Sequence, residues 1–182
     1  LDLHGKGEPS ASNLILRALQ PSIRGGFTVQ PGKFTPEGLE LNFERSRFAL
    51  TGGMSWKFKG PKTELQWDLV AEGPTDLSDL ESLGRSKIAG KGNLRAQIQG
   101  PGEQLELSFD ADLEDAEYIQ LKFGMLRGRF TLTEGMQKLT FHSVHGKSGS
   151  TPYVISGPID FRGDGRMALS YDFPSGRVED FL

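Results

Sequence analysis

The stretch Gln104-Leu105-Glu106-Leu107-Ser108-Phe109-Asp110-Ala111-Asp112-Leu113-Glu114 alternates without a break. Leu105, Leu107, Phe109, Ala111 and Leu113 occupy every second position. Side chains point to opposite faces along a strand, so this segment has one apolar face and one acidic, water-facing side. The pattern recurs in Leu39, Leu41, Phe43; in Met54, Trp56, Phe58; in Leu65, Trp67, Leu69; and in Leu94, Ala96, Ile98. It returns in Ile119, Leu121, Phe123, Met125; in Leu139, Phe141; in Ile159, Phe161; and in Leu169, Tyr171, Phe173. Antiparallel sheets with one solvated face read this way, whereas parallel sheets are buried on both faces.

Composition agrees. The chain has 182 residues, of which 24 are glycine and 10 proline, so turns are frequent and strands are favoured over long helices. The net charge of −3 excludes a strongly basic nucleic-acid surface. Cysteine is absent, which excludes disulfides, a thiolate nucleophile and cysteine–metal sites. No apolar run approaches the roughly 20 residues of a membrane span. The sequence starts Leu1-Asp2-Leu3 and reads as a fragment of a longer chain, with approximate units 1–84 and 85–182. Two short helices are expected. One follows Ser10 or Ser12 and carries Leu14, Ile15, Leu16, Ala18 and Leu19 before Pro21. The other starts at Thr75 or Asp76, carries Leu77, Leu80 and Leu83, and stops at Gly84. A third is expected to begin near Gly176–Leu182.

Repeats are visible. Residues 52–69 align on 92–109 without a gap: Gly52 falls on Gly92, Gly60-Pro61 on Gly100-Pro101, Leu65 on Leu105. The unit reads as a hairpin with both apolar sets on one side. A weaker copy starts at Gly157-Pro158-Ile159-Asp160-Phe161, and Arg24–Val29 resembles Arg127–Leu132. Units that cannot bury their own apolar face point to an elongated stack.

Motifs for chemistry are missing. His142 and His145 are three apart, which in a regular strand puts them on opposite faces, and no third ligand is near. The carboxylates Asp110, Asp112, Glu114, Asp115 and Glu117 read as a solvated face rather than an acid–base pair. Arg162-Gly163-Asp164 reads as a turn. No phosphate-cradling glycine loop and no nucleophile elbow exists. The expectation is a non-enzymatic protein with no catalytic residues, metal or cofactor.

A one-sided sheet must cover its apolar face with a second sheet, or curl around a ligand. An apolar interior with a polar exterior suits acyl chains, at about 0.8 kcal/mol per buried methylene. The candidate groove residues are Met54, Trp56, Phe58, Leu65, Trp67, Leu69, Leu94, Ile98, Leu105, Leu107, Phe109, Leu121, Phe123, Phe141, Phe161, Leu169, Tyr171 and Phe173. The alternatives are a scaffold that binds a strand by edge addition, and a closed β-sandwich adhesin or carbohydrate module.

The sequence also resembles the AsmA/TamB-like bacterial envelope proteins. The resemblance rests on the strand pattern of Ala89-Gly90-Lys91-Gly92-Asn93-Leu94 through Gly100, on Asp76-Leu77-Ser78-Asp79-Leu80 before it, and on Gly157-Pro158-Ile159-Asp160-Phe161. It implies a mainly β fold: an elongated antiparallel sheet curled into a trough (a β-taco, like an open jelly roll) with two or three short helices. It implies a periplasmic location, with an inner-membrane anchor in the full-length protein. The implied partners are phospholipid acyl chains moving to the outer membrane, or an outer-membrane β-barrel assembly protein; no nucleic acid is implied.

Overall fold

The computed structural model describes residues 22–60, 62–80, 87–102, 104–118, 120–135, 137–163 and 166–181. They form one open antiparallel sheet of 11 strands with almost no helix. Strands β1 (Ser22–Gln30), β2 (Lys33–Asn42), β3 (Arg47–Lys59), β4 (Lys62–Asp76) and β5 (Ile88–Pro101) each pair with the next. So do β6 (Glu106–Tyr118), β7 (Leu121–Thr133), β8 (Lys138–Ser148), β9 (Thr151–Asp160) and β10 (Arg166–Met167). The short β11 (Ser170–Asp172) pairs with β9 beyond β10. The edges at β1 and at β10–β11 do not meet, so the sheet is not closed.

The expected helix start at Thr75 or Asp76 needs correction. Pro74, Thr75 and Asp76 end β4, where they pair with Asn93, Gly92 and Lys91. Among the described residues Leu77–Leu80 forms a 3₁₀ turn and Val178–Phe181 a second. The leucine spacing of three that suggested an α-helix is the period of a 3₁₀ helix, which is used in short pieces. Asp76 does cap the first turn, since Ser78 N–H donates to its Oδ1 at 3.1 Å. The helix expected over 10–19, and the stop at Gly84, lie outside the described residues.

Four bulges adjust the alternation. In β2 the register shifts at Gly38 (φ 62°), in β6 at Asp115 (φ 51°), in β7 at Gly124 (φ 65°) and in β8 at Ser143 (φ 51°). An extra residue in the left-handed region bends a strand and resets which side chains face inward. The buried apolar series in β6 therefore runs Ala111, Leu113, then Ala116. In β8 the inward series passes from Phe141 to Val144. In β7 Leu126 is buried and Met125, expected on the apolar side, is 56% exposed. Ile119 lies outside the described residues.

The repeats also change register. Gly52 pairs with Leu69, but Gly92 pairs with Leu113, because the β5–β6 turn is longer than the β3–β4 turn. Lys59 closes on Lys62, whereas Gln99 closes on Glu106. The gapless alignment thus holds for the outgoing strands and slips by four residues on the returning ones. An even slip keeps the apolar faces together.

A longer repeat is geometrically closer. The run β1 to the first 3₁₀ turn recurs as β7 to the second, about a hundred residues later. Phe27 faces Pro36 as Phe130 faces Phe141, and the bulge at Gly38 becomes the bulge at Ser143. Leu50 faces Ala71 as Ile155 faces Tyr171. The resemblances of Arg24–Val29 to Arg127–Leu132, and of Gly52 to Gly157, are the sequence traces of this unit.

One clasp appears in both copies. Asp76 N–H donates to Ser46 Oγ (2.9 Å), which donates to Asp79 Oδ2 (2.6 Å); Arg45 N–H donates to the same carboxylate (3.1 Å). Arg177 N–H donates to Thr151 Oγ1 (2.8 Å), which donates to Asp180 Oδ2 (2.7 Å); Ser150 N–H donates there at 3.0 Å. The first 3₁₀ turn is thereby tied to the start of β3 and the second to the start of β9.

Candidate functional site: a continuous apolar face

Cross-strand partners share a face, so the register identifies which residues lie together. Leu69, Ile98, Leu107, Leu132, Leu139, Ile159 and Met167 are successive partners from β4 to β10. At strand spacings of about 4.8 Å this apolar row is about 29 Å long. A second row runs Leu39, Leu50, Ala71, Ala96, Phe109, Phe130, Phe141 and Gly157. A third passes Val29, Phe34, Met54 and Trp67. Trp56 faces Leu65, Leu94 faces Ala111, and Leu121 faces Tyr118.

Burial along this face is uneven. Ala111, Leu113, Ala116, Leu126 and Val144 form a buried cluster, with Leu77, Leu94, Phe123, Phe130 and Phe141 packed against it. Phe130 and Phe141 meet edge-on at 5.1 Å, a favoured aromatic geometry. Tyr153 lies over Gly146, where a Cβ would run into its ring, and its hydroxyl donates to Phe123 O at 2.8 Å. Burial pushes the Tyr153 phenol up to about 12. Away from this cluster the face opens. Met54, Trp56, Leu65, Trp67, Leu69, Ile98, Leu105, Leu107, Phe109 and Leu169 are half-buried. Phe58, Leu121, Phe161, Tyr171 and Phe173 are exposed, as are Ile23, Phe27 and Val29 on β1. Tyr171 and Phe173 stack on each other at 6.0 Å.

The opposite face carries charge in register. Glu72, Arg95, Asp110 and Arg129 are successive partners, and Arg95–Glu72 and Arg129–Asp110 are ion pairs. Arg127 pairs with Asp112 beside them. Hydrogen bonds from Arg129 and Arg127 hold the Asp110 and Asp112 carboxyls below the usual range. These exposed pairs keep this side solvated and set register more than they stabilise.

The bulge at Ser143 also corrects the reading of the histidines. His142 partners Arg129 and His145 partners Arg127, so both lie on the charged face rather than on opposite ones. His142 Nε2 is 2.8 Å from Thr131 Oγ1. Among the described residues no three His, Cys, Asp or Glu side chains gather to hold a metal. Arg162 is paired with Asp160 and, at 2.7 Å, with Glu134.

Comparison with protein-family models, curated proteins and solved structures found no match. Geometry alone therefore describes the site. The register brings most of the sequence-derived groove candidates onto one face; Phe123 joins them by packing against the buried cluster and Phe173 by stacking on Tyr171, while Leu105, Phe161 and Leu169 have no ladder partner to place them. Reading alternation alone missed its most buried members, Val144, Tyr153 and Ile155. Val144 follows a bulge, and Ile155 has an apolar neighbour, Val154, which masks the period. The glycine at 146 was the available signal, since a glycine in a strand marks a close approach.

Proposed function

We propose that this chain is a non-enzymatic segment of a hydrophobic conduit that carries phospholipid acyl chains across the periplasm, between inner and outer membrane. In this reading the sheet curls into a trough around the chains. The carrying observation is the unbroken apolar row from Leu69 to Met167 on one face of an open sheet. Its length suits an extended acyl chain, and its end at Met167 is open to solvent. The charged opposite face keeps the whole in water. The envelope setting rests on the AsmA/TamB resemblance, with the inner-membrane anchor placed in the full-length protein.

A photo-crosslinking residue at Leu107, central in the row, is expected to capture phospholipid on irradiation. Lipid-free protein with an intact fold would overturn the reading. Leu107→Asp is expected to abolish capture from a second probe at Ile98 while leaving the circular dichroism unchanged. A second reading is favoured by the open edges at β1 and β10–β11: a scaffold that binds a nascent outer-membrane strand by edge addition. Capture of a polypeptide by the Leu107 probe would favour it, with an outer-membrane β-barrel assembly protein as the partner.

A further inference from the structure

The β3–β4 hairpin reaches past both of its neighbours. On the β2 side its last backbone contact is Trp56 N–H to Gly32 O at 2.8 Å. On the β5 side it is Gly102 N–H to Leu65 O at 3.0 Å. Beyond these points Lys57–Lys59 and Lys62–Glu64 pair only with each other in the ladder. The projecting tip carries Phe58, which is 76% exposed. Lys57, Lys59 and Lys62 flank it along the hairpin and lie on the opposite face of the tip, where Lys59 is the cross-strand partner of Lys62. Glu64 is the acidic residue at the tip and is ion-paired to Lys59 at 2.8 Å. A cleft of about 1010 Å³ opens beside the tip, lined by Trp56, Leu65 and these lysines among others.

A projecting tip with an exposed aromatic on one face and three lysines on the other matches the interface of an anionic bilayer entered tip-first. The ring favours the headgroup level, and each lysine gains from the negative surface potential. A solubilising tip needs the lysines but not the phenylalanine. We propose that this hairpin tip docks on an anionic lipid surface, with Phe58 entering the headgroup layer and Lys57, Lys59 and Lys62 on the lipid phosphates. The docking goes beyond the acyl-groove reading: it sets Trp56 and Leu65, at one end of the apolar face, against the bilayer.

Vesicle co-sedimentation of the full chain tests it, with phosphatidylglycerol mixed into phosphatidylcholine and with phosphatidylcholine alone. Binding to the anionic vesicles is expected, weakening with salt. Lys57→Gln, Lys59→Gln and Lys62→Gln should each weaken it about fivefold, the value of one lysine at such a surface. Phe58→Ser should weaken it further, Glu64→Gln should strengthen it, and Lys147→Gln, far from the tip, should leave it unchanged. Circular dichroism confirms that each variant is folded. Equal binding to both vesicle types, no binding, or binding indifferent to the tip substitutions overturns the proposal. The Leu107 capture experiment is read in mixed micelles of detergent and phosphatidylcholine without vesicles, so failure of docking and failure of acyl capture are distinguishable.

Discussion

Tyr153 joins the most buried part of the sheet to the exposed rest of its face. Its ring covers Gly146 and its hydroxyl holds the Phe123 carbonyl. A β-branched side chain at 146 has no room, so Gly146→Val should destabilise the protein by about 1–3 kcal/mol or more, read by urea unfolding. The phenol titrates at about 12 when folded, above its value near 10 when unfolded. A raised value means full stabilisation below about pH 10 and its loss as pH rises toward 12. Tyr153→Phe should flatten that alkaline slope, at a cost of about 1 kcal/mol for the lost hydrogen bond. Asp180 behaves oppositely. Hydrogen bonds from Thr151 and Ser150 hold its carboxyl below the unfolded value of 3.8. Its contribution is present above that pH and lost as pH falls through the folded value. Asp180→Asn should therefore reduce the acid sensitivity of unfolding.

Bulges and clasps act at the scale of strands. Ser143 takes a left-handed backbone conformation at the place where the earlier copy has Gly38. Such a conformation costs a residue with a Cβ about 1–2 kcal/mol, partly offset by glycine's extra freedom when unfolded. Ser143→Gly should raise the melting temperature by a few degrees, whereas deleting Ser143 leaves Val144 inward, two positions after Phe141, but removes the bend that the extra residue gives β8 and so should loosen the packing of the buried cluster. Near-ultraviolet circular dichroism separates the two. The clasps are equivalent in geometry, and Ser46 and Thr151 are both buried. Ser46→Ala and Thr151→Val should each cost about 1–3 kcal/mol, because backbone N–H groups and a carboxylate lose their partner. Strand identity was legible in the sequence because alternation is local. The bulges were not, since a left-handed Asp115 or Ser143 leaves no mark in composition. Two local misreadings followed: Met125 in place of Leu126 from the bulge at Gly124, and the two histidines assigned to opposite faces from the bulge at Ser143.

The whole molecule exposes what most domains bury. Phe27, Val29, Met167, Tyr171 and Phe173 remain accessible on the face that continues the core. The native chain should therefore bind a hydrophobic dye such as ANS while keeping its near-ultraviolet signal, and a long-chain fatty acid should compete for it. Dye binding only after loss of that signal would mean that the face is covered in solution. The two copies of the β1–β4 unit sit in one continuous ladder joined through β5 and β6. Units that share a ladder are expected to unfold together, and denaturation followed at Trp56 and Trp67 should coincide with that followed by circular dichroism.

The sequence by itself determined that the protein is made of antiparallel strands with one apolar and one charged face. That follows from the two-residue period of a strand, which any eleven residues such as 104–114 express without the rest of the chain. It also carried traces of the longer repeat in Arg24–Val29 and Gly157. Tertiary structure alone decided the register of the returning strands, the pairing of Pro74–Asp76 in β4, and the burial of Val144, Tyr153 and Ile155. Those depend on where left-handed residues bend the strands and on which strand supplies each partner. Both are properties of the paired sheet, and no segment holds them alone.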